Sequence, residues 1–227
     1  MSNQSVRELW AERFDRPDPK VVCVGLNYAA HAGESGGETP KAPVLFGKFS
    51  NTLLWDGDEI VLPQDVGHVD AEAELALVIG ERASHVPEAS AMDVIEAYTC
   101  ANDVSARDYQ FGDAQWFRGK SLDGFCPLGP NLVDAGDLDI SDLRVVQRLN
   151  GEVLQDARTS DLIFSIPVLV SYISSYITLE VGDLILTGTP EGVGLFRDPK
   201  VSLVDGDVVE IEIDGIGVLR SGVRAAT

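Results

Sequence analysis

The most constraining stretch of this chain is RVVQRLNGEVLQDA, where Asn150-Gly151 separates two runs of alternating apolar and polar residues. Asn-Gly readily adopts the positive φ angles of a two-residue hairpin turn, so the flanking runs predict paired antiparallel strands. The pattern recurs in DVVEIEIDGIGVLRSGV, turning at Asp214-Gly215. A doubly wound parallel sheet alternates strands with helices, and that alternation is absent. The expected class is α+β and β-rich, with a few short helices.

Upstream, VVCVG (21–25), PVLFGKF (43–49) and YTCANDVS (98–105) read as strands, and DGDEIVLP (56–63) as a turn into an edge strand. DAEAELALVIG (70–80) begins with alternation and becomes continuously apolar, as a strand entering a core does. A short helix or an arm is expected at 5–14, and helices at 87–98 and after Thr159 or Ser160 as N-cap, with Pro167 as a kink or break. GDLILTGTPEGVG reads as a strand running into a glycine-rich loop.

Charge excludes some functions. The net charge is -20 over 227 residues, so a basic nucleic-acid-binding face is not expected. The acidity suits a high-salt cytoplasm or an ordinary acidic protein, and the plainer reading is kept. No apolar run reaches membrane-spanning length and MSNQSVRELW has no signal-peptide core, so the expected location is the cytoplasm, away from membranes. Cys23, Cys100 and Cys126 are odd in number and widely spaced, which argues against a disulfide framework or a zinc knuckle. Cys23 and Cys100 read as small buried hydrophobes.

Five constellations could carry chemistry. In DAEAE, residues two apart share a strand face, so Asp70, Glu72 and Glu74 line one side and alanines the other. Carboxylates gathered at the mouth of a buried strand suit a hard cation such as Mg2+, Mn2+ or Ca2+. Taken alone, however, the stretch favours a solvated acidic face. In ANDVSARDYQ, Asp103 ends an apolar strand and could add a third carboxylate, with Arg107 and Gln110 on one face of a helix starting there. A helix cap with a surface arginine is an equal alternative. In WFRGKSLDG, Lys120 sits among aromatic and apolar residues, as a half-buried oxyanion stabiliser or a snorkelling side chain. In GLNYAAHAGE, His31 and Glu34 are three apart, the spacing of an imidazole charged and oriented by a carboxylate, although an isolated pair of this kind is more often plain surface. In LTGTPEGVG, Thr187, Thr189 and open backbone N–H groups could cradle an anion or simply form a turn.

The order of these segments is more specific than any one of them. GLNYAAHAGE, APVLFGKFSN, DAEAELALVIG, ANDVSARDYQ, WFRGKSLDGFCPLGP, NGEVLQDARTSDLIF and LEVGDLILTGTPEGVG follow one another in a way that resembles the fumarylacetoacetate hydrolase family, over about residues 20–224. The resemblance implies a β-roll with flanking short helices, normally paired as a homodimer. It divides the chain into an N-terminal helix or arm (1–19) and a catalytic domain (20–227). It implies Glu72, Glu74 and Asp103 as ligands of Mg2+ or Mn2+, with Ca2+ ranked behind them. His31 and Glu34 match a dyad on a lid that closes over substrate, with the glycines at 33, 36 and 37 permitting movement. Lys120 matches an active-site lysine, and Arg107, Gln110 and Thr189 match substrate-contacting positions.

Substrates of the family are small 2-oxo acids, often 2,4-dioxo acids. The expected reaction is hydrolysis of a C–C bond in an acylpyruvate. Oxaloacetate decarboxylation, isomerisation or hydration of 2-oxo-heptenedioate-type intermediates of aromatic catabolism, and non-catalytic binding of oxo acids are the alternatives. Two departures stand out: Ala71 replaces a frequent aromatic, and Val24 sits where larger relatives carry a further acidic ligand. Cleavage of fumarylacetoacetate itself is therefore not implied, and a water would have to fill that coordination position.

Overall fold

The computed structural model describes residues 5–16, 18–34, 36 and 38–227. In chain order the elements are α1 (Val6–Phe14), β1 (Val21–Gly25), α2 (Ala29–Glu34), β2 (Val44–Lys48), β3 (Leu53–Trp55), β4 (Glu59–Leu62), β5 (Val69–Asp70), β6 (Ala73–Ile79), β7 (Ile95–Asn102), β8 (Ser105–Ala106), α3 (Arg107–Gly112), α4 (Phe117–Lys120), β9 (Cys126–Asp134), β10 (Arg144–Leu149), β11 (Glu152–Arg158), α5 (Ile166–Ser174), β12 (Leu184–Leu186), β13 (Val208–Ile213) and β14 (Gly217–Ala225). They form a seven-stranded sheet of order β2-β1-β12-β6-β7-β9-β3, a five-stranded sheet of order β11-β10-β13-β14-β4, and the pair β5-β8. The result is the expected strand-rich α+β roll.

Both hairpins form. Asn150 and Gly151 take φ of 52° and 85°, and Leu149 pairs with Glu152 across the turn. β13 returns into β14 through Asp214–Ile216, with Ile213 opposite Gly217. The strand at 56–63 is β4, an edge as expected. The continuously apolar β6 is buried on both faces. Leu75, Leu77 and Ile79 meet Val145, Val209 and Ile211 of the five-stranded sheet in the main core. Ala76 and Val78 point the other way, into a second cluster with Trp10 and Phe14 of α1. All three cysteines are buried and unpaired.

Two helix expectations fail. Residues 87–98 are not a helix: Glu88–Ser90 and Met92–Val94 are single 3-10 turns, and Ile95 starts β7. That strand lies inside the larger sheet, paired with both β6 and β9, and ladder pairing there outweighs the local helix-forming residues. Thr159–Asp161 is likewise one 3-10 turn, and the following helix begins only after Ser165 as N-cap. Pro167 opens this helix rather than kinking it, because N–H groups in the first turn have no intrahelical acceptor to lose. Among the described residues no helix is long and apolar enough to cross a membrane.

Candidate active site

The acidic residues of DAEAE are not a solvated face: Asp70, Glu72 and Glu74 are 2%, 4% and 2% exposed. The alternation holds, with Ala71 and Ala73 joining the main core on the opposite side. What buries the acids is the neighbouring strand. β6 pairs with β7 so that Glu74 lies opposite Ala101, and beyond the ladder the Asp103 N–H donates to the Glu72 carbonyl at 2.9 Å. This brings one carboxylate oxygen each from Glu72, Glu74 and Asp103 within 4.8 Å of one another.

Cations converge on the same point. Lys120, at the end of α4, is fully buried rather than half-buried, and its Nζ donates to Glu72 Oε2 at 2.7 Å and Asp103 Oδ2 at 2.6 Å. Gly119 makes this approach feasible, because a Cβ there would lie 2.5 Å from the Gln110 backbone nitrogen. Arg107 starts α3 after Ser105 and Ala106 have paired with β5, so the helix begins later than Asp103. Its guanidinium donates to Asp70 Oδ1 and Glu72 Oε1, both at 2.6 Å, and to Gln110 Oε1 at 2.9 Å. Arginine only donates, so this contact fixes the Gln110 amide with its oxygen toward Arg107.

These contacts divide the carboxylates. Burial opposes ionisation of Glu72, but Lys120 and Arg107 outweigh it and hold its carboxyl well below the usual range. Among the described residues neither cation pairs directly with Glu74, and the charge of Lys120 offsets its burial only in part; its Oε2 accepts the Gly188 N–H at 2.6 Å. Burial, followed by the charges of Asp103 and Glu72, pushes Glu74 well above the ordinary carboxylate value. Burial also works against the Lys120 ammonium, but Asp103 and Glu72 reverse the effect and raise it. An all-oxygen triad with one under-compensated carboxylate fits a hard divalent cation.

The dyad sits beside this centre. His31 is 7% exposed, and its Nδ1 lies 2.8 Å from Glu34 Oε1. Glu34 also accepts the Gly192 N–H, at 3.0 and 3.2 Å to its two oxygens. The described part of the segment is therefore docked on the glycine-rich loop, more tightly packed than its composition predicts. Of the three glycines expected to permit lid movement, Gly37 lies outside the described residues.

The glycine-rich loop does cradle anions, but they are the protein's own: Gly188 serves Glu74 and Gly192 serves Glu34. The Thr187 hydroxyl is spent on Leu75 O at 3.0 Å, whereas Thr189 lines the cavity and accepts from Gln155 Nε2 at 2.8 Å.

Sequence reasoning missed Lys48, Gln155 and the task of Asp70. Lys48 is buried at the end of β2, with Nζ 2.7 Å from Asp103 Oδ1. No donor is aligned on that oxygen, so the contact is one of charge without hydrogen-bond direction. The ammonium donates instead to the carbonyls of Val104, Lys120 and Phe125. A lysine within an apolar strand of a chain with only five lysines was the available signal. Gln155 bridges Ala73 N, the Thr189 hydroxyl and Pro190 O. Asp70 joins Arg107 to the Leu195 N–H, at 2.7 Å, and so positions the turn carrying Phe196.

His31, Glu72, Glu74, Arg107, Gln110, Lys120 and Thr189 all line one cavity of about 510 Å³, whose remaining wall includes Val24, Phe46, Trp116 and Phe196. Asp103 and Glu34 stand directly behind Lys120 and His31.

Residues 20–224 match the family model described as fumarylacetoacetate (FAA) hydrolase, C-terminal. The chain is 46% identical over 207 residues to the protein named oxaloacetate tautomerase FAHD2A, mitochondrial, of Bos taurus, covering 90% of this chain and 66% of that one. It thus spans just under two thirds of that relative. A solved structure of 5-carboxymethyl-2-hydroxymuconate delta-isomerase from Mycobacterium smegmatis superposes with TM-score 0.82 at 47% identity, covering 92% of this chain and 79% of that one. For 2-hydroxyhepta-2,4-diene-1,7-dioate isomerase from Mycobacterium marinum the values are 0.81, 45%, 91% and 74%.

Proposed function

This chain belongs to the fumarylacetoacetate hydrolase family, and from that premise we propose that it is a metal-dependent enzyme hydrolysing a C–C bond in an acylpyruvate-type 2,4-dioxo acid. The observation that carries the reading is the meeting of two half-sites in one cavity: a buried carboxylate triad and a histidine held by a carboxylate behind it. The location is proposed to be the cytoplasm and the assembly a homodimer.

Glu72, Glu74 and Asp103 would hold Mg2+ or Mn2+, which supplies Lewis-acid polarisation of the 2-oxo acid oxygens. Arg107 and Gln110 orient the substrate carboxylate, and Thr189 offers a hydroxyl from the same cavity lining. Glu34 holds His31 through Nδ1, which leaves Nε2 as the base for a water proton. Water attacks the distal carbonyl, the C–C bond breaks, and its electron pair passes into a pyruvate enolate. Lys120 stabilises that negative charge with its ammonium. His31 then returns a proton to the enolate carbon, which closes the cycle as pyruvate and a carboxylic acid.

A second reading is supported by the name of the Bos taurus relative: keto–enol proton transfer on oxaloacetate. The same base and enolate-stabilising lysine serve that reaction without an attacking water, as they would serve decarboxylation.

The test is steady-state turnover of acetylpyruvate and oxaloacetate by wild type and His31→Ala with Mg2+ present. Loss of the water-activating base should lower acetylpyruvate cleavage by roughly 10²–10⁴. Metal affinity, measured by calorimetry, should stay nearly constant because His31 is not in the triad. Wild-type rates in His31→Ala would remove the dyad from the mechanism. Turnover of oxaloacetate alone would favour the second reading.

A further inference from the structure

Resting on the reading that a 2-oxo acid head lies at Glu72, Glu74 and Asp103, the cavity specifies the other end of the substrate. We infer that this end is a neutral alkyl or aryl group rather than a second carboxylate, selected by Phe46, Trp116, Phe111 and Phe196.

Size is the first argument. A cavity of about 510 Å³ falls in the range that holds drug-sized ligands, well beyond what a four-carbon acid fills. The polar lining is Glu72, Glu74, Arg107, Gln110, Lys120, His31 and Thr189. The rest of the wall is aliphatic or aromatic.

Construction of that wall is the second. Phe46 and Trp116 meet edge to face, with ring centroids 5.4 Å apart and planes at 70°. Gly25 gives the indole room: a Cβ there would stand 2.7 Å from Trp116 Cζ3. The Phe46 ring also lies 5.1 Å from Lys120 Nζ, so the apolar wall begins directly beside the proposed head site. Phe196 stands beside the histidine, its ring centroid 6.3 Å from that of His31.

Charge is the third. Both side-chain cations lining the cavity stand at the head end, where Arg107 pairs with Asp70 and Glu72 and Lys120 with Glu72 and Asp103, so what donor capacity they keep serves the 2-oxo acid head. His31 is committed to Glu34. Arg118, two residues after Trp116, makes a two-pronged contact with Asp113, both distances 2.7 Å, and stacks on Tyr109 at 4.0 Å. A second substrate carboxylate would lose hydration against ring faces that are themselves electronegative, with no counter-charge among these residues.

The test uses a matched pair of unreactive ligands, 2-oxohexanoate and 2-oxoadipate, which share a six-carbon chain and differ in a terminal methyl or carboxylate. Isothermal titration calorimetry of the Mg2+-loaded protein should show 2-oxohexanoate binding at least about tenfold more tightly. Equal or tighter binding of 2-oxoadipate overturns the inference and leaves the 2-oxo acid reading intact. Binding of neither overturns both. Phe111 is 58% exposed at the rim, so Phe111→Arg should fold normally and supply the missing cation. That variant should narrow or reverse the preference; an unchanged preference in a folded variant removes Phe111 from the selecting wall.

Discussion

Replacing Lys48 by methionine isolates what one buried ammonium does for the candidate metal centre. Its Nζ lies 2.7 Å from Asp103 Oδ1 and donates to Val104 O at 3.2 Å and Phe125 O at 2.8 Å, with Lys120 O as a further acceptor. Methionine keeps the aliphatic stem and nearly the same volume, so repacking contributes little. What disappears is one of the two ammonium counter-charges of the fully buried Asp103, the other being Lys120 at 2.6 Å, and removing one partner of a buried pair costs about 3–5 kcal/mol. The remaining lysine lowers that cost, and the loss of a charged donor by three carbonyls adds to it, which keeps the expectation within the range. The effect on metal binding has the opposite sign. With one positive charge fewer, the triad is less compensated and should bind a divalent cation more tightly. Urea unfolding at fixed protein concentration, with chelator and then with saturating Mg2+, measures both effects. Lys48→Met should lose about 3–5 kcal/mol in chelator and regain more from Mg2+ than wild type does. A loss below about 1 kcal/mol, no larger than an ordinary surface change, would refute the account of Lys48 as an electrostatic keystone. So would equal recovery in the two proteins.

Three further outcomes are expected. Glu74 is held above the usual carboxylate range without metal, so wherever it is still protonated Mg2+ must displace that proton to bind. Affinity should rise with pH until Glu74 is ionised in the metal-free protein and then level off, and calorimetry in buffers of different ionisation enthalpy should detect the released proton. Gly192→Ala places a Cβ 2.2 Å from Leu154 O at a φ of +96°, so the loop must shift and Glu34 loses its N–H donor. Acylpyruvate turnover and melting temperature should both fall in that variant while Mg2+ affinity holds. Gly151→Ala has the same kind of backbone conformation, φ +85°, with nothing within 4 Å of the added Cβ, so it should cost about 1–2 kcal/mol by denaturation and leave kinetics untouched.

Legibility in the sequence followed the range of the interactions. Asn150-Gly151 could be read because a hairpin turn is settled by the residues within it. The part of β7 from Tyr98 onward could be read too, but its start at 95–97 could not, because strand character there comes from β6 and β9 on either side and short-range pattern saw only helix formers. The alternation of Asp70, Glu72 and Glu74 was visible, but their burial was not, since the covering groups come from residues 102–120. Arg107, Gln110, Lys120 and Thr189 do converge on one cavity with the dyad, an assembly that the order of motifs implied and no single motif carried. Lys48 and Gln155 escaped because each acts by holding groups that are distant in the chain, Asp103 and Thr189.

The two half-sites also differ in when they can first exist. Glu74 lies in β6, and Glu72 and Asp103 lie one residue beyond β6 and its antiparallel neighbour β7, so closing that strand pair is a local event. The Glu34–Gly192 contact joins residues 158 positions apart. A ribosome adding about 5–20 residues per second needs roughly 4–18 s to pass from Asp103 to Gly192. Throughout that interval the nascent chain holds the ligand set and the histidine, but not the loop that seats the histidine's carboxylate. The proposed base is thus seated only after Gly192 has been made, and a growing chain that held a metal ion at the proposed triad would have no assembled dyad beside it.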